Sequence, residues 1–280
     1  MEFPYLMIPT ISPIYEPKEI RALLISDSHT NGAHFNNLAQ YFKATEPNYD
    51  FIFLLGNVSN MINKHRNDYF AENEAIRQLE DTIKFLSDYT EKPIFYIPGN
   101  TEPTGTYNYI LEVPESINLH KRAVQIDEGL SLIGLGGSIP IKEEEKEKIL
   151  EGYPYTSSEE FTKDLTGCIE SATKTFDPNT SFLLLTHIGP QEAETAKVYL
   201  GKEQVNGGCK GFGELLKSNK IIGHVHGHSA LARGLTKPFG PSIPVINPGG
   251  LVAGYFGEIS LRRGVDGNWK VADVQFKSLN

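Results

Sequence analysis

Short, wholly apolar runs alternate along this chain with polar clusters and amphipathic stretches. Ala22-Leu23-Leu24-Ile25, Phe51 to Leu55, Pro93 to Ile97 and Ser181 to Thr186 carry almost no polar side chains. Runs of this length without alternation read as strands buried on both faces. Between them lie helical patterns. Ala33 to Ala44 predicts one helix, and Phe70 to Tyr89 predicts a second, because Ile76, Leu79, Ile83 and Leu86 recur at spacings of 3, 4 and 3 and so share one face. Phe161, Leu165, Ile169, Ala172 and Phe176 mark a third. Ser157 and Ser158 are offered as its N-cap, Glu159 and Glu160 fill its first turn, and Asp177-Pro178-Asn179 stops it.

The repeated order of strand, polar loop and helix implies a sheet covered by helices, with ligands gathered at the strands' carboxyl ends. The middle of the chain differs. Ala123 to Asp127 and Leu130 to Leu135 flank Glu128-Gly129 as a hairpin, so antiparallel strands join the sheet system. Gly136 to Ser157 reads as a charged loop, and the glycine-rich Gly207 to Gly213 as a mobile one that lacks the ending of a phosphate-binding loop. Pro244-Val245-Ile246 and two closing strands around Asp266-Gly267-Asn268 complete the pattern. Residues 1–19 hold four prolines and read as an N-terminal strap, and 20–280 as a single domain without linker or internal repeat.

Composition narrows the partners. A net charge of −9 and a pI near 5.4 leave no basic stripe to displace counterions from a phosphate backbone, which argues against nucleic acid. The most lysine-dense run, Lys142 to Lys148, is interleaved with glutamates and reads as a solvated surface. Two widely separated cysteines, Cys168 and Cys209, suit free thiols in a reducing compartment. The first residues lack the basic start of a signal peptide, and no apolar run approaches the ~20 residues that span a bilayer. The expected location is the cytosol or a cytosol-facing assembly.

Polar clusters follow five of the apolar strands. They are Asp27/His29, Asn57, Asn100, His187 and the histidines of Ile221-Ile-Gly-His-Val-His-Gly-His-Ser229. On an extended strand His224, His226 and His228 would share one face, as metal ligands do. Each cluster alone has an ordinary explanation: Asp-x-His is a common strand-end turn, and an interior histidine is more often hydrogen-bonded than ligating. His34, His65 and His120 read as surface histidines.

Taken together, Asp27-Ser28-His29, Gly56-Asn57, Gly99-Asn100-Thr101-Glu102, Thr186-His187 and the histidine strand resemble the calcineurin-like metallophosphoesterases, from about Arg21 to Val274. Asn247-Pro248-Gly249 resembles a stretch that follows the last metal motif in several small members. The resemblance implies an α/β fold, the αββα four-layer sandwich with mixed β-sheets. It also implies a divalent-metal site (Mn, Zn or Fe) built from Asp27, His29, Asn57, Asn100, His187, His226 and His228, where a metal-activated water attacks a phosphate ester. The last motif fits in either of two registers, from Gly223 or from Gly227. The second is preferred and makes His228 the ligand, with Ala230 where a further histidine would stand.

Two further departures set this chain apart. Asn57 occupies the place of the aspartate that bridges both metals, and a carboxamide brings an oxygen but no charge. Two dications about 3.5 to 4 Å apart repel by on the order of 18 kcal/mol at an effective dielectric near 20, so the shared carboxylate matters. Thr101 stands where the family has a histidine proposed to protonate the leaving group, and threonine holds no such proton near neutral pH. Glu102 is then the remaining candidate for a substitute proton donor. These changes predict at most one tightly bound metal per chain, or none. They favour a catalytically impaired module with protein partners, as in the retromer coat's phosphoesterase-like subunit, over an active hydrolase of a phosphate mono- or diester.

Overall fold

The computed structural model describes residues 16–60, 68–108, 116–141, 150–200, 203–218 and 220–279. Most of the expected strap, the Lys142 to Lys148 run and His65 lie outside these residues. In chain order the strands are β1 (Lys18–Ile25), β2 (Phe51–Leu54), β3 (Ile94–Tyr96), β4 (Ser116–Asn118), β5 (Arg122–Asp127), β6 (Leu130–Leu135) and β7 (Ser181–Thr186). They continue as β8 (Lys197–Leu200), β9 (Glu203–Asn206), β10 (Ile221–His226), β11 (Gly234–Thr236), β12 (Val245–Asn247), β13 (Tyr255–Arg263) and β14 (Trp269–Ser278). The helices are α1 (Gly32–Thr45), α2 (Tyr69–Ser87), α3 (Thr104–Asn108), α4 (Ser158–Thr175) and α5 (Phe212–Ser218).

Two six-stranded sheets form, in the orders β14-β13-β1-β2-β3-β4 and β11-β12-β10-β7-β6-β5. Both are mixed: β1, β2, β3 and β4 run parallel and β13 antiparallel to β1, while β6, β7, β10 and β12 run parallel beside the antiparallel β5 and β11. The apolar strands owe their composition to what lies on each side. In β1, Ala22 and Leu24 join a core between the sheets with Phe53, Leu183, Leu185 and Val225, whereas Leu23 and Ile25 face Leu38, Phe42, Leu79 and Ile83 of α1 and α2. In β7, Phe182 and Leu184 instead pack with Phe161, Leu165, Ile169 and Phe212 of α4 and α5. Three apolar layers therefore separate four layers of secondary structure, helix, sheet, sheet and helix, as expected of the αββα sandwich.

Several boundaries differ from the sequence expectations. β1 starts at Lys18, so the sheet takes in the last two residues assigned to the strap. The glycine-rich stretch is pinned rather than loose, because Cys209 and Phe212 are fully buried under α4 and Pro190 bridges to Cys209. His120 is not on the surface: it is 8 % exposed, and its Nδ1 accepts from the Gly136 N–H. His34 is half-buried at the start of α1. No helix among the described residues is long and apolar enough to cross a membrane.

Candidate functional site

The loops after β1, β2, β3, β7 and β10 meet at one end of the sandwich. Their backbones are unusual. Asp27 (φ 49°), His29 (φ 44°), Thr30 (φ 50°), Asn57 (φ 54°) and His228 (φ 66°) all adopt the left-handed region, which Asp, Asn and His tolerate better than other side-chain-bearing residues. Such strain gathers where a fold holds polar groups in fixed positions. The loops are tied to each other: Asp27 N–H donates to Gly56 O, His29 N–H to Asn57 O, and Gly227 N–H to His187 O.

At the centre is an amide–carboxylate cluster. The Asp27 carboxylate is 2 % exposed and accepts from Ser26 Oγ (2.5 Å), the His228 N–H (2.8 Å) and Asn57 Nδ2 (3.0 Å). Asn57 Nδ2 also donates to Asn100 Oδ1 at 3.2 Å. Asn57 Oδ1 faces the opposite way and accepts from the Thr101 N–H and Thr101 Oγ1, each at 3.0 Å. A backbone N–H is always a donor, so it fixes which amide atom is oxygen. The oxygen expected to serve a metal is thus turned away, and the nitrogen faces Asp27 and Asn100, where the resemblance implies a bridging ligand.

The histidines divide into two kinds. His224 and His226 share the helix-facing side of β10, with rings 5.5 Å apart. Thr186 Oγ1 donates to Ile188 O and so accepts from His224 Nε2, while the His224 ring stacks on Phe212. His226 donates from Nδ1 to Gly227 O and accepts at Nε2 from Thr195 Oγ1, so both its nitrogens are spent on protein. Burial drives the His224 pKa well below its ordinary value and that of His226 to about 4. β10 ends at His226, and His228 turns out of line beyond Gly227. The expectation of three imidazoles on one face therefore holds for two.

His187 and His228 do reach the cluster, packed edge to face at 5.1 Å. His187 Nδ1 donates to Leu55 O at 2.7 Å, which directs the lone pair of the neutral ring at Nε2 towards Asn100 Oδ1, 3.1 Å away. His228 Nδ1 lies 3.1 Å from the same oxygen, and its covered Nε2 has no hydrogen-bond partner. Burial pushes both pKa values down to about 3, with the neighbouring His29 a smaller contributor in the same direction.

Glu102 is 1 % exposed and accepts from four backbone N–H groups, those of Asn57, Val58, Ser59 and Gly99 at 3.0, 2.7, 2.9 and 2.5 Å. These are the partners of a clamp holding two loops together, unlike those of the proton donor the sequence suggested. Ser26 and Thr195, which hold Asp27 and His226, were not singled out from the sequence. Only the position of Ser26 beside the strand-end aspartate hinted at its part.

The metal pair implied by the resemblance does not fit these side chains. The implied bridging position holds an N–H donor, among the described residues Asp27 is the one carboxylate in the cluster besides the engaged Glu102, and Asn100, His187 and His228 are neutral. Among the described residues no group of three or more His, Cys, Asp or Glu side chains is arranged to hold a metal ion.

No family model and no curated protein matches the sequence. Solved structures do match in shape. The chain is similar to TT1561 of Thermus thermophilus at 16 % identity and a TM-score of 0.56, over 94 % of this chain and 100 % of that one. It is similar to a putative 5'-nucleotidase from Staphylococcus aureus at 14 % identity and a TM-score of 0.53, over 94 % of this chain but 54 % of that one. It is also similar to GAP50, the anchor in the inner membrane complex of Plasmodium, at 14 % identity and a TM-score of 0.51, over 94 % and 85 % of the two chains. Read with the two facing mixed sheets and the loops gathered at one end, these likenesses establish that the chain has the calcineurin-like metallophosphoesterase fold.

Proposed function

We propose that this chain is a metallophosphoesterase sandwich retained as a binding or structural module for protein partners in a cytosolic or cytosol-facing assembly, with phosphoester hydrolysis lost. The observation that carries the reading is the orientation of Asn57, whose nitrogen faces Asp27 and Asn100 where the chemistry needs an anionic oxygen. Three further features support it. Thr101 shares its hydroxyl proton between Asn57 Oδ1 and Ser59 O, Glu102 is tied to backbone, and a protein of similar shape is described as an anchor.

One contact favours the alternative, an active metal-dependent hydrolase of a phosphate mono- or diester. His187 Nε2 and Asn100 Oδ1 present lone pairs to each other at 3.1 Å, and a cation shared by them would relieve that repulsion. Metal analysis of the purified protein, with phosphatase and phosphodiesterase assays in Mn²⁺, separates the two. The module reading expects at most one ion per chain and no turnover above that of His187→Ala. Two ions per chain, with turnover abolished in His187→Ala, would overturn it.

A further inference from the structure

We infer that Asn57 is a built-in substitute for a bridging cation, and that its single amide is what keeps the centre closed to metal. This inference rests on the module reading and explains how the site survives without ions. Two oxygens, Asp27 Oδ1 and Asn100 Oδ1, converge on one point, lying 3.0 and 3.2 Å from Asn57 Nδ2. In a metal centre a cation would hold such oxygens together. Here the two N–H bonds of one amide do so, and they point at both oxygens only because the Thr101 N–H has already claimed Asn57 Oδ1. Turning the amide over would set Nδ2 against that backbone donor and leave Asp27 Oδ1 facing an oxygen.

The backbone is prepared for the arrangement. Asn57 sits at φ 54°, which asparagine and aspartate tolerate and most residues do not. Its own N–H is held by Glu102 and its own C=O by His29 N–H. A Cβ on Gly99 would meet Asn57 Oδ1 and the Asn57 backbone, so the bare Gly99 backbone is what lets the amide lie flat across the loops. The side chain at 57 can therefore change its chemistry with little change of place.

Asn57→Asp is the informative substitution. One new carboxylate oxygen would keep the Thr101 N–H, and the other would face Asp27 Oδ1 and Asn100 Oδ1 with no hydrogen between them. Two carboxylates so close cannot both stay ionised unless a cation or proton joins them. The variant should thus acquire a cation dependence that the natural chain lacks, visible in stability and binding without reference to activity.

Melting and Mn²⁺ titration calorimetry of the wild-type chain, Asn57→Asp and Asn57→Gly test this. The wild type should melt at the same temperature in EDTA and in Mn²⁺. Asn57→Asp should melt lower in EDTA and rise by about 5 °C once Mn²⁺ is about 100-fold above its Kd, and it should bind Mn²⁺ at least tenfold more tightly than the wild type. Asn57→Gly, which suits the positive φ and adds no charge, should melt below the wild type in both media, because it loses both N–H donors. If Asn57→Asp folds only with Mn²⁺, the inference stands. If it folds in neither medium, Asn57→Gly decides, and a melting temperature equal to the wild type's overturns the cross-link. A wild-type chain that binds Mn²⁺ as tightly as Asn57→Asp also overturns it. Two ions per wild-type chain with turnover defeat the module reading itself, whereas a metal-free wild type with an Asn57→Asp indifferent to Mn²⁺ defeats this inference alone.

Discussion

Glu102 is the residue whose chemistry the loop structure decides most sharply. Its Oε2 accepts from Asn57 and Gly99, and its Oε1 from Val58 and Ser59, so both oxygens are committed to donors that cannot change sign. A carboxylate that stitches the β2 loop to the β3 loop sets the position of Asn57 from behind. Glu102→Gln keeps the shape but turns an NH₂ group towards two backbone N–H groups. Each stranded buried donor costs about 1 to 3 kcal/mol, and bonds to a charged acceptor are the stronger kind. Urea unfolding at neutral pH should show a loss of about 3 kcal/mol. A change near zero would return Glu102 to the role of a proton donor with no structural duty.

At the scale of elements, the end of β10 shows how a strand delivers one side chain and buries its neighbours. Gly227 is the hinge between His226 under the helices and His228 in the cluster, and it lies against the end of β1. A Cβ there would collide with Ser26 Oγ, which holds Asp27, and stand 3.0 Å from Ser26 Cβ and 3.1 Å from Asp27 Oδ2. Gly227→Ala should therefore force the two strand ends apart, at a cost of about 1 to 3 kcal/mol seen as a lower urea midpoint with an unchanged slope. A midpoint equal to the wild type's would mean the loops yield freely. The buried strands and the long helices were legible in the sequence because burial on both faces, or on one helical stripe, writes itself into consecutive or 3.6-spaced apolar residues. Short elements such as β4, β8, β9, β11, α3 and α5 have too few residues to show a period. At the site, Asp27, Asn57, Asn100, His187 and His228 gather as their strand-end positions suggest while His226 does not, and the direction of the Asn57 amide depends on Thr101 N–H, 44 residues away. His120 reads as a surface residue because Asn118 and Lys121 beside it are polar, whereas its burial comes from Tyr107 and Gly136, which are distant in sequence.

Across the whole molecule, the burial of five histidines ties stability to pH. Burial lowers the pKa values of His120, His187 and His228 to about 3 and that of His226 to about 4, and lowers His224 as well. In the unfolded chain each titrates near 6.5. Above that value neither state binds these protons, and the histidines leave stability untouched. As the pH falls below about 6.5, the unfolded chain takes up protons that the folded chain refuses. Stability then drops by up to about 1.4 kcal/mol per pH unit for each of His120, His187, His226 and His228 until their folded values near 3 to 4 are reached, and His224 acts in the same direction. Against a total stability of about 5 to 15 kcal/mol for a typical domain, the combined loss from these groups is a large fraction, so the chain should become markedly less stable as the pH falls from about 6.5 towards 5. His120 tests the assignment apart from the candidate site, since its ring packs on Tyr107 and accepts from Gly136. His120→Gln keeps an acceptor for that N–H and removes the titration. The proton uptake on unfolding, measured from stability between pH 6 and 5, should fall by about one proton in this variant. An unchanged uptake would place the acid sensitivity elsewhere in the chain.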